Sequence, residues 1–179
     1  MQPADLPGGV VRCGLSGDMA SFLAKEKGAD ATTYATVKSD WDAARQNGAT
    51  AAYAALYTDS AAHCAKFGVG ESNPGAATYQ LVINFVLQFK DEASAAGAYA
   101  DGSFFHFSVA DLKSGGAAVV EGIATGLTEH AIERSAVLAN QTVFVALWQK
   151  KQIVVVLAIL NLAPAASQKA AVAENTRIK

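Results

Sequence analysis

Three histidines, His63, His106 and His130, are the side chains of this chain most suited to acid–base chemistry or metal binding near neutral pH. His63 precedes Cys64, and such a pair suggests thiol activation by imidazole. Adjacent residues on a helix, however, point about 100° apart and do not face each other. We therefore expect no catalytic pair here.

His130 is followed three residues later by Glu133, a spacing that suits metal ligation if the segment is helical. If the segment is a strand, the two side chains lie on opposite faces. No second histidine stands at four-residue spacing, and no cysteine is near, so the zinc motifs are absent. We predict no metal site.

His106 lies within an aromatic cluster formed by Phe104, Phe105, His106 and Phe107. On an extended backbone these rings alternate between the two faces of the strand. The rings on one face can enter the core, whereas those on the other face must be shielded from water by another group. A ligand could supply that cover, and we predict an apolar ligand site at these four residues. The alternative is that a second layer of helices buries every ring.

Other motifs offer no cofactor or nucleophile. Residues 122–126 lack the full glycine pattern of dinucleotide-binding proteins, and no phosphate-binding loop or Gly-x-Ser-x-Gly motif occurs. Asp59 and Asp91 each precede an alanine-rich segment, where a carboxylate that caps a helix is expected. We predict no cofactor, although a site assembled from distant residues around His106 would leave no local motif.

Cys13 and Cys64 are the only two cysteines. In an extracytoplasmic protein an even number of cysteines predicts a disulfide, whereas two buried thiols would fit a cytosolic protein. Residues 1–9 resemble a segment left after removal of a signal peptide and tether. Both observations favour an extracytoplasmic location, either secreted or lipid-anchored.

Composition limits the class of protein. The 179 residues fit one domain, which we place at residues 10–179 after an N-terminal tail, residues 1–9. A net charge of −2 offers no basic surface for nucleic acid, and 51% hydrophobic residues argue against disorder. The longest apolar run, Ile153–Leu160, is far shorter than the ~20 residues that span a membrane.

Periodicity and turn residues predict the elements. Apolar residues at three- and four-residue steps predict a helix over residues 33–47, and Ser16 or Asp18 can begin a shorter helix that ends near Lys27. Strands followed by alanine-rich helices recur, and the last such helix begins at Pro164. The predicted strands cover residues 10–13, 50–57, 79–89, 117–124, 130–138, 142–148 and 153–162.

Successive strands are too frequent for a doubly wound parallel sheet. We predict an α+β fold, with a mostly antiparallel sheet that carries alanine-rich helices on one face and a small second layer on the other. The hairpin of residues 142–148 and 152–160 is apolar on both faces, so it should be central.

These expectations favour a non-enzymatic extracytoplasmic domain that binds a small apolar ligand or a protein partner. An enzyme with a dispersed site around His106 and a structural subunit that self-associates as a homo-oligomer are the alternatives.

Overall fold

The computed structural model describes residues 1–68, 74–102, 104, 107–114, 118–138 and 140–179. Eight strands of this part form one antiparallel sheet in the order β1-β3-β4-β8-β7-β6-β5, and β2 pairs separately with β3. The predicted α+β class is confirmed. The strands are β1 (Val11–Arg12), β2 (Gly17–Asp18), β3 (Ala49–Thr58), β4 (Leu81–Phe89), β5 (Val119–Glu121), β6 (Ala131–Leu138), β7 (Gln141–Lys150) and β8 (Ile153–Leu160).

Helices cover the two faces of the sheet unequally. One face, called here the first face, packs against residues of five helices: α1 (Met19–Ala29), α2 (Ala31–Gln46), α3 (Ala61–Gly68), α4 (Glu92–Asp101) and α5 (Val109–Ser114). The opposite, second face packs against α6 (Pro164–Arg177) and against the N-terminal segment through Leu6. The structure therefore has a larger and a smaller helix layer, one on each side of the sheet.

The hairpin of β7 and β8 lies in the middle of the sheet, as predicted. Along β8, Val154 and Val156 pack in the first-face core, whereas Val155, Leu157 and Ile159 pack in the second-face core. Side chains of a strand alternate between faces, so an apolar residue at every position requires cover on both sides. The two helix layers provide that cover.

Local sequence explains where the helices begin and end. Asp18, Asp30 and Asp91 accept hydrogen bonds from backbone N–H groups in the first turns of α1, α2 and α4, as N-cap residues do. After α2, Gly48 has φ +95°, a left-handed conformation that glycine adopts without steric cost.

Two local predictions are wrong. Asp59 does not cap α3, because Ser60 Oγ accepts the hydrogen bond from the His63 backbone N–H. The strand predicted over residues 117–124 ends at Glu121, and a 3₁₀ helix, Gly122–Thr125, follows it. Gly122 has φ +62°, which a strand cannot accommodate.

The N-terminal residues that we predicted as a tail include a 3₁₀ turn, Pro3–Asp5, and pack against α6. Leu6 is buried in the second-face core, and Asp5 forms an ion pair with Arg177. Within the described residues, no helix combines the length and the apolar character that crossing a membrane requires.

Candidate functional site

Within the aromatic segment predicted as a ligand site, Phe104 and Phe107 pair with each other. Phe104 and Phe107 exchange both backbone hydrogen bonds, each 2.8 Å from N to O. The extended backbone on which we based alternation of the rings is therefore wrong, because one continuous strand cannot pair with itself in this way. Phe105 and His106 lie outside the described residues.

The two described phenylalanines have different surroundings. Phe104 is 2% exposed and belongs to the first-face core, so its ring is a structural residue. Phe107 is only partly buried and packs at the margin of that core. Of the described residues in the segment, Phe107 is the one with surface available to a ligand.

Phe107 lines a groove on the first face, called here the Phe107 groove, with a volume of about 210 Å³. Its floor consists of alternate residues of the paired strands β6 and β7, and Phe107 and α5 stand beside it. Six of the eight described lining residues are apolar. The eight are Phe107, Asp111, Leu112, Arg134, Ala136, Leu138, Val143 and Val145.

Strand register explains how the floor forms. Ala136 pairs with Val143 and Arg134 pairs with Val145, so these four side chains share one face of the sheet. Leu112 of α5 is buried nearby in the first-face core. The groove therefore combines residues from the aromatic segment, from a six-residue helix and from two strands, which no local sequence pattern connects.

A larger depression of about 760 Å³ lies beyond the end of α6. Five of its eight described lining residues are polar or charged: Gln88, Glu92, Lys151, Gln152 and Lys179. Sites for small organic ligands are mostly apolar with a few polar groups. The mostly apolar lining of the Phe107 groove therefore suits a small organic ligand better than the lining of this depression does, although the groove is smaller.

The predicted disulfide is present. Cys13 and Cys64 are bonded, with their Cα atoms 5.0 Å apart, and the bond connects the segment after β1 to α3. Cys13 is 2% exposed, whereas Cys64 packs at the margin of the first-face core. The bond closes a loop over a sequence separation of 51 and attaches α3 to the edge of the sheet.

His63 contacts a carboxylate rather than a thiol. Its Nδ1 atom lies 2.5 Å from Asp59 Oδ1, and its ring stacks on Tyr79 at a centroid distance of 4.0 Å. Asp59 Oδ2 accepts a hydrogen bond from the Gln80 backbone N–H. Burial acts to raise the pKa of Asp59, but the hydrogen bonds from His63 and Gln80 lower it overall.

This cluster was not predicted, although the four-residue spacing of Asp59 and His63 is the signal that could have revealed it. The arrangement orients the imidazole and resembles the carboxylate–histidine contacts that support metal ligands and general bases. No group of three or more His, Cys, Asp or Glu side chains among the described residues could hold a metal ion.

His130 and Glu133 do not share a face. His130 immediately precedes β6 and Glu133 lies within it, so the helical arrangement required for joint ligation does not occur. His130 Nδ1 lies 2.6 Å from Gln149 Oε1, and its ring stacks on Tyr99. Glu133 instead belongs to the polar groups beneath α6.

Three glutamates among the described residues have a raised pKa. In α1, burial and then the nearby charge of Asp30 raise the pKa of Glu26 to about 7. Burial also raises the pKa of Glu133, against a hydrogen bond from Gln168 that lowers it. Burial likewise raises the pKa of Glu174, whose side chain is 3.0 Å from the Asn84 amide nitrogen.

Comparisons with protein-family models, with curated proteins and with solved structures found no match. The structure itself defines the class: a disulfide-bonded α+β domain in which one antiparallel sheet separates two unequal helix layers.

Proposed function

We propose that this protein is a non-enzymatic, extracytoplasmic domain, secreted or lipid-anchored, that binds a small apolar ligand in the Phe107 groove. The observation that carries the proposal is the groove itself, with its apolar floor and its partly buried aromatic wall. The disulfide supports the location, because such bonds persist in oxidising compartments.

The size of the groove limits the ligand. Its volume of about 210 Å³ is below the ~300–1,000 Å³ of sites for drug-sized molecules, so a single ring or a short alkyl chain fits better. Burying the apolar surface of such a ligand contributes about 25 cal/mol per Å². Ala136 and Val143 supply a floor on which a chain or ring can lie.

The test measures binding of octanol by calorimetry or by chemical-shift changes in the wild type and in two groove variants. Phe107→Ala removes the aromatic wall and should weaken binding by about tenfold, or ~1.4 kcal/mol. Ala136→Phe places a ring on the floor and should abolish binding by occupying the groove.

Tyr53→Ala is the matched control, because it truncates a surface aromatic residue that is 40% exposed on β3, outside the lining of the groove. It should leave octanol binding unchanged. The proposal fails if octanol does not bind the wild type, or if Ala136→Phe remains folded and binds as the wild type does.

The competing function is self-association through exposed apolar surface, and the position of several exposed apolar residues supports it. Val120, Ile123, Val137 and Leu138 are exposed large apolar residues, and they lie on or beside β5 and β6, at one edge of the sheet. Such an edge can pair with another chain. Sedimentation of the wild type and of Val137→Lys distinguishes the two functions, because a structural subunit should be oligomeric and should dissociate in the variant.

The enzyme alternative placed its site around His106, which lies outside the described residues. The described lining of the Phe107 groove contains no histidine, and six of its eight residues are apolar. These features favour binding over acid–base chemistry at the groove.

A further inference from the structure

The two cysteines of the disulfide differ in their exposure to solvent. Cys13 is 2% exposed in the first-face core, whereas Cys64 is partly exposed on α3. Cys64 also lines a surface depression with a volume of about 330 Å³. The other described lining residues are Gly14, Leu15, Lys25 and Ala65. A small molecule in this depression can therefore meet Cys64 while the protein remains folded.

This difference in exposure determines which sulfur a thiol from solution can attack. A thiolate attacks one sulfur of a disulfide and expels the other, so Cys64 is the attacked sulfur and Cys13 is the leaving group. Lys25 is the one charged residue among the described lining residues, and its Nζ atom donates a hydrogen bond to the Gly14 carbonyl oxygen at 2.6 Å. A cation beside the depression favours the approach of an anionic nucleophile.

Thr58, the last residue of β3, contacts both sulfurs. Its Oγ1 atom lies 3.3 Å from Cys64 Sγ and 3.9 Å from Cys13 Sγ, and the residue is fully buried. In the disulfide form the hydroxyl donates a hydrogen bond to the Ser60 carbonyl oxygen at 2.7 Å. A buried thiolate is costly unless it accepts a hydrogen bond. Rotation of the Thr58 hydroxyl toward Cys13 would supply one when the disulfide breaks.

We propose that Cys64 Sγ is a site of thiol–disulfide exchange with a low-molecular-weight thiol. The thiolate of the small molecule forms a bond to Cys64 Sγ while the bond between the two cysteines breaks, and the electron pair of that bond leaves on Cys13 Sγ. Cys13 then takes up the proton that the small thiol released to water. The attacking sulfur is oxidised to a disulfide and Cys13 is reduced to a thiol, so the exchange requires no other oxidant or reductant.

The product is a protein with a mixed disulfide at the surface and a thiol in the core. Two contacts of α3 do not depend on the disulfide: Phe67 is buried in the first-face core, and His63 contacts Asp59. The modified protein should therefore stay folded at neutral pH, although it is less stable than the disulfide form. Exchange at Cys64 does not involve the Phe107 groove.

The first experiment locates the adduct. Folded wild type is incubated briefly with β-mercaptoethanol, the reaction is stopped with acid, and the denatured protein is labelled with N-ethylmaleimide. Mass spectrometry of the peptides should find the mercaptoethanol adduct on Cys64 and maleimide on Cys13, at least about tenfold more often than the reverse arrangement. Equal adducts on both cysteines, or a majority on Cys13, would overturn the proposal.

Leu157→Ala distinguishes attack on the folded protein from attack after global unfolding. This variant truncates a fully buried side chain of the second-face core, on the opposite side of the sheet from Cys13. It increases the unfolded population, so exchange that requires unfolding should accelerate by more than about tenfold. Direct attack predicts a rate within about twofold of the wild type. Acceleration by tenfold or more would overturn the proposal.

Thr58→Val tests the hydroxyl beside the leaving sulfur. It should slow exchange by about tenfold and leave the adduct on Cys64, because the hydrogen bond to a developing thiolate is lost. Thr58→Ser keeps the hydroxyl and should restore the rate. Thr50→Val, at an exposed position of the same strand, is the control and should exchange as the wild type does. Thermal unfolding verifies that each variant is folded. An unchanged rate in folded Thr58→Val overturns the role of Thr58, whereas the position of the adduct decides the role of Cys64.

Discussion

The two faces of the sheet are covered in different ways. The first-face core includes residues from five helices, and the Cys13–Cys64 disulfide attaches one of them to the sheet edge. The second face is covered by α6 and the N-terminal segment. Ala170 and Ala171 of α6 are fully buried in the second-face core. Small residues allow α6 to approach large side chains such as Trp148.

Polar groups are distributed as unequally as the helices. Beneath α6, four side-chain atoms are buried and have no hydrogen-bond partner among the described residues: Glu133 Oε2, Trp148 Nε1, Gln168 Oε1 and Asn175 Oδ1. Unpartnered buried polar atoms cost about 1–3 kcal/mol each. The comparison teaches that the first face is stabilised mainly by apolar packing and a covalent bond, whereas the second face contains a concentration of buried polar atoms. Each face also contains a glutamate with a raised pKa, Glu26 on the first and Glu133 on the second.

The largest expected effect comes from the disulfide of the first face. Replacing both Cys13 and Cys64 by Ser should lower the free energy of unfolding by about 4 kcal/mol, because the denatured chain regains the freedom of a closed loop of about 50 residues. Urea unfolding measures the loss. Titration of the denatured, unreduced wild type should find no free thiol, and two reactive thiols per chain would contradict the bond.

Truncations on the two sides of the central hairpin compare the cores directly. Leu147→Ala on the first face and Leu157→Ala on the second should each cost ~2–4 kcal/mol, because both side chains are fully buried. Amide hydrogen exchange should be slowest in this hairpin. Leu157→Ala should increase exchange in α6, and Leu147→Ala in α4. Rapid exchange throughout the wild-type hairpin would show that it is not the core.

A smaller effect concerns pH. Burial raises the pKa of Glu26 to about 7, so the folded protein holds this proton more tightly than the unfolded chain. The contribution of Glu26 to the free energy of unfolding is therefore fully present below about pH 4.5. It is lost as the pH rises through about 7, because the unfolded chain releases the proton first. Because glutamine does not titrate, the free energy of unfolding of Glu26→Gln should fall by roughly 1–3 kcal/mol less than that of the wild type over this pH range.

Two further variants sharpen the pH comparison between the faces. Burial raises the pKa of Glu133 as well, so Glu133→Gln should reduce the same alkaline loss from the second face. Glu129→Gln, at an exposed position, is the control and should leave the profile unchanged. Urea unfolding from pH 5 to pH 8 measures all three variants. A Glu26→Gln profile that parallels the wild type would contradict the assignment.

Local patterns predicted most of the elements because the relevant interactions are close in sequence. Asp18 and Asp91 cap the helices that follow them, and the apolar spacing over residues 33–47 corresponds to α2. The hairpin of β7 and β8 is apolar on both faces, and it is central because both faces need cover, as the pattern indicated. Gly122 shows the limit of prediction from local patterns. The residues on both sides of it favour a strand, but Gly122 adopts a left-handed conformation, and β5 ends just before it.

The candidate site was predicted only in part. Phe107 was identified from an aromatic cluster, yet its backbone pairs with that of Phe104, and the Phe104 ring is buried in the core. Asp59 was interpreted as a cap, but its carboxylate holds His63. In each case the residue type was informative, whereas its orientation depended on contacts with other parts of the chain.

The sequence by itself determined the α+β class and a sheet whose centre is apolar on both faces, and it favoured a bond between its two cysteines. These properties follow from composition, alternation and the scarcity of thiols. Only the tertiary structure decided that Arg134, Ala136 and Val143 meet Phe107 in one groove. The physical reason is that a groove depends on strand register and on where a covering helix ends, and both are set by packing between segments far apart in the chain.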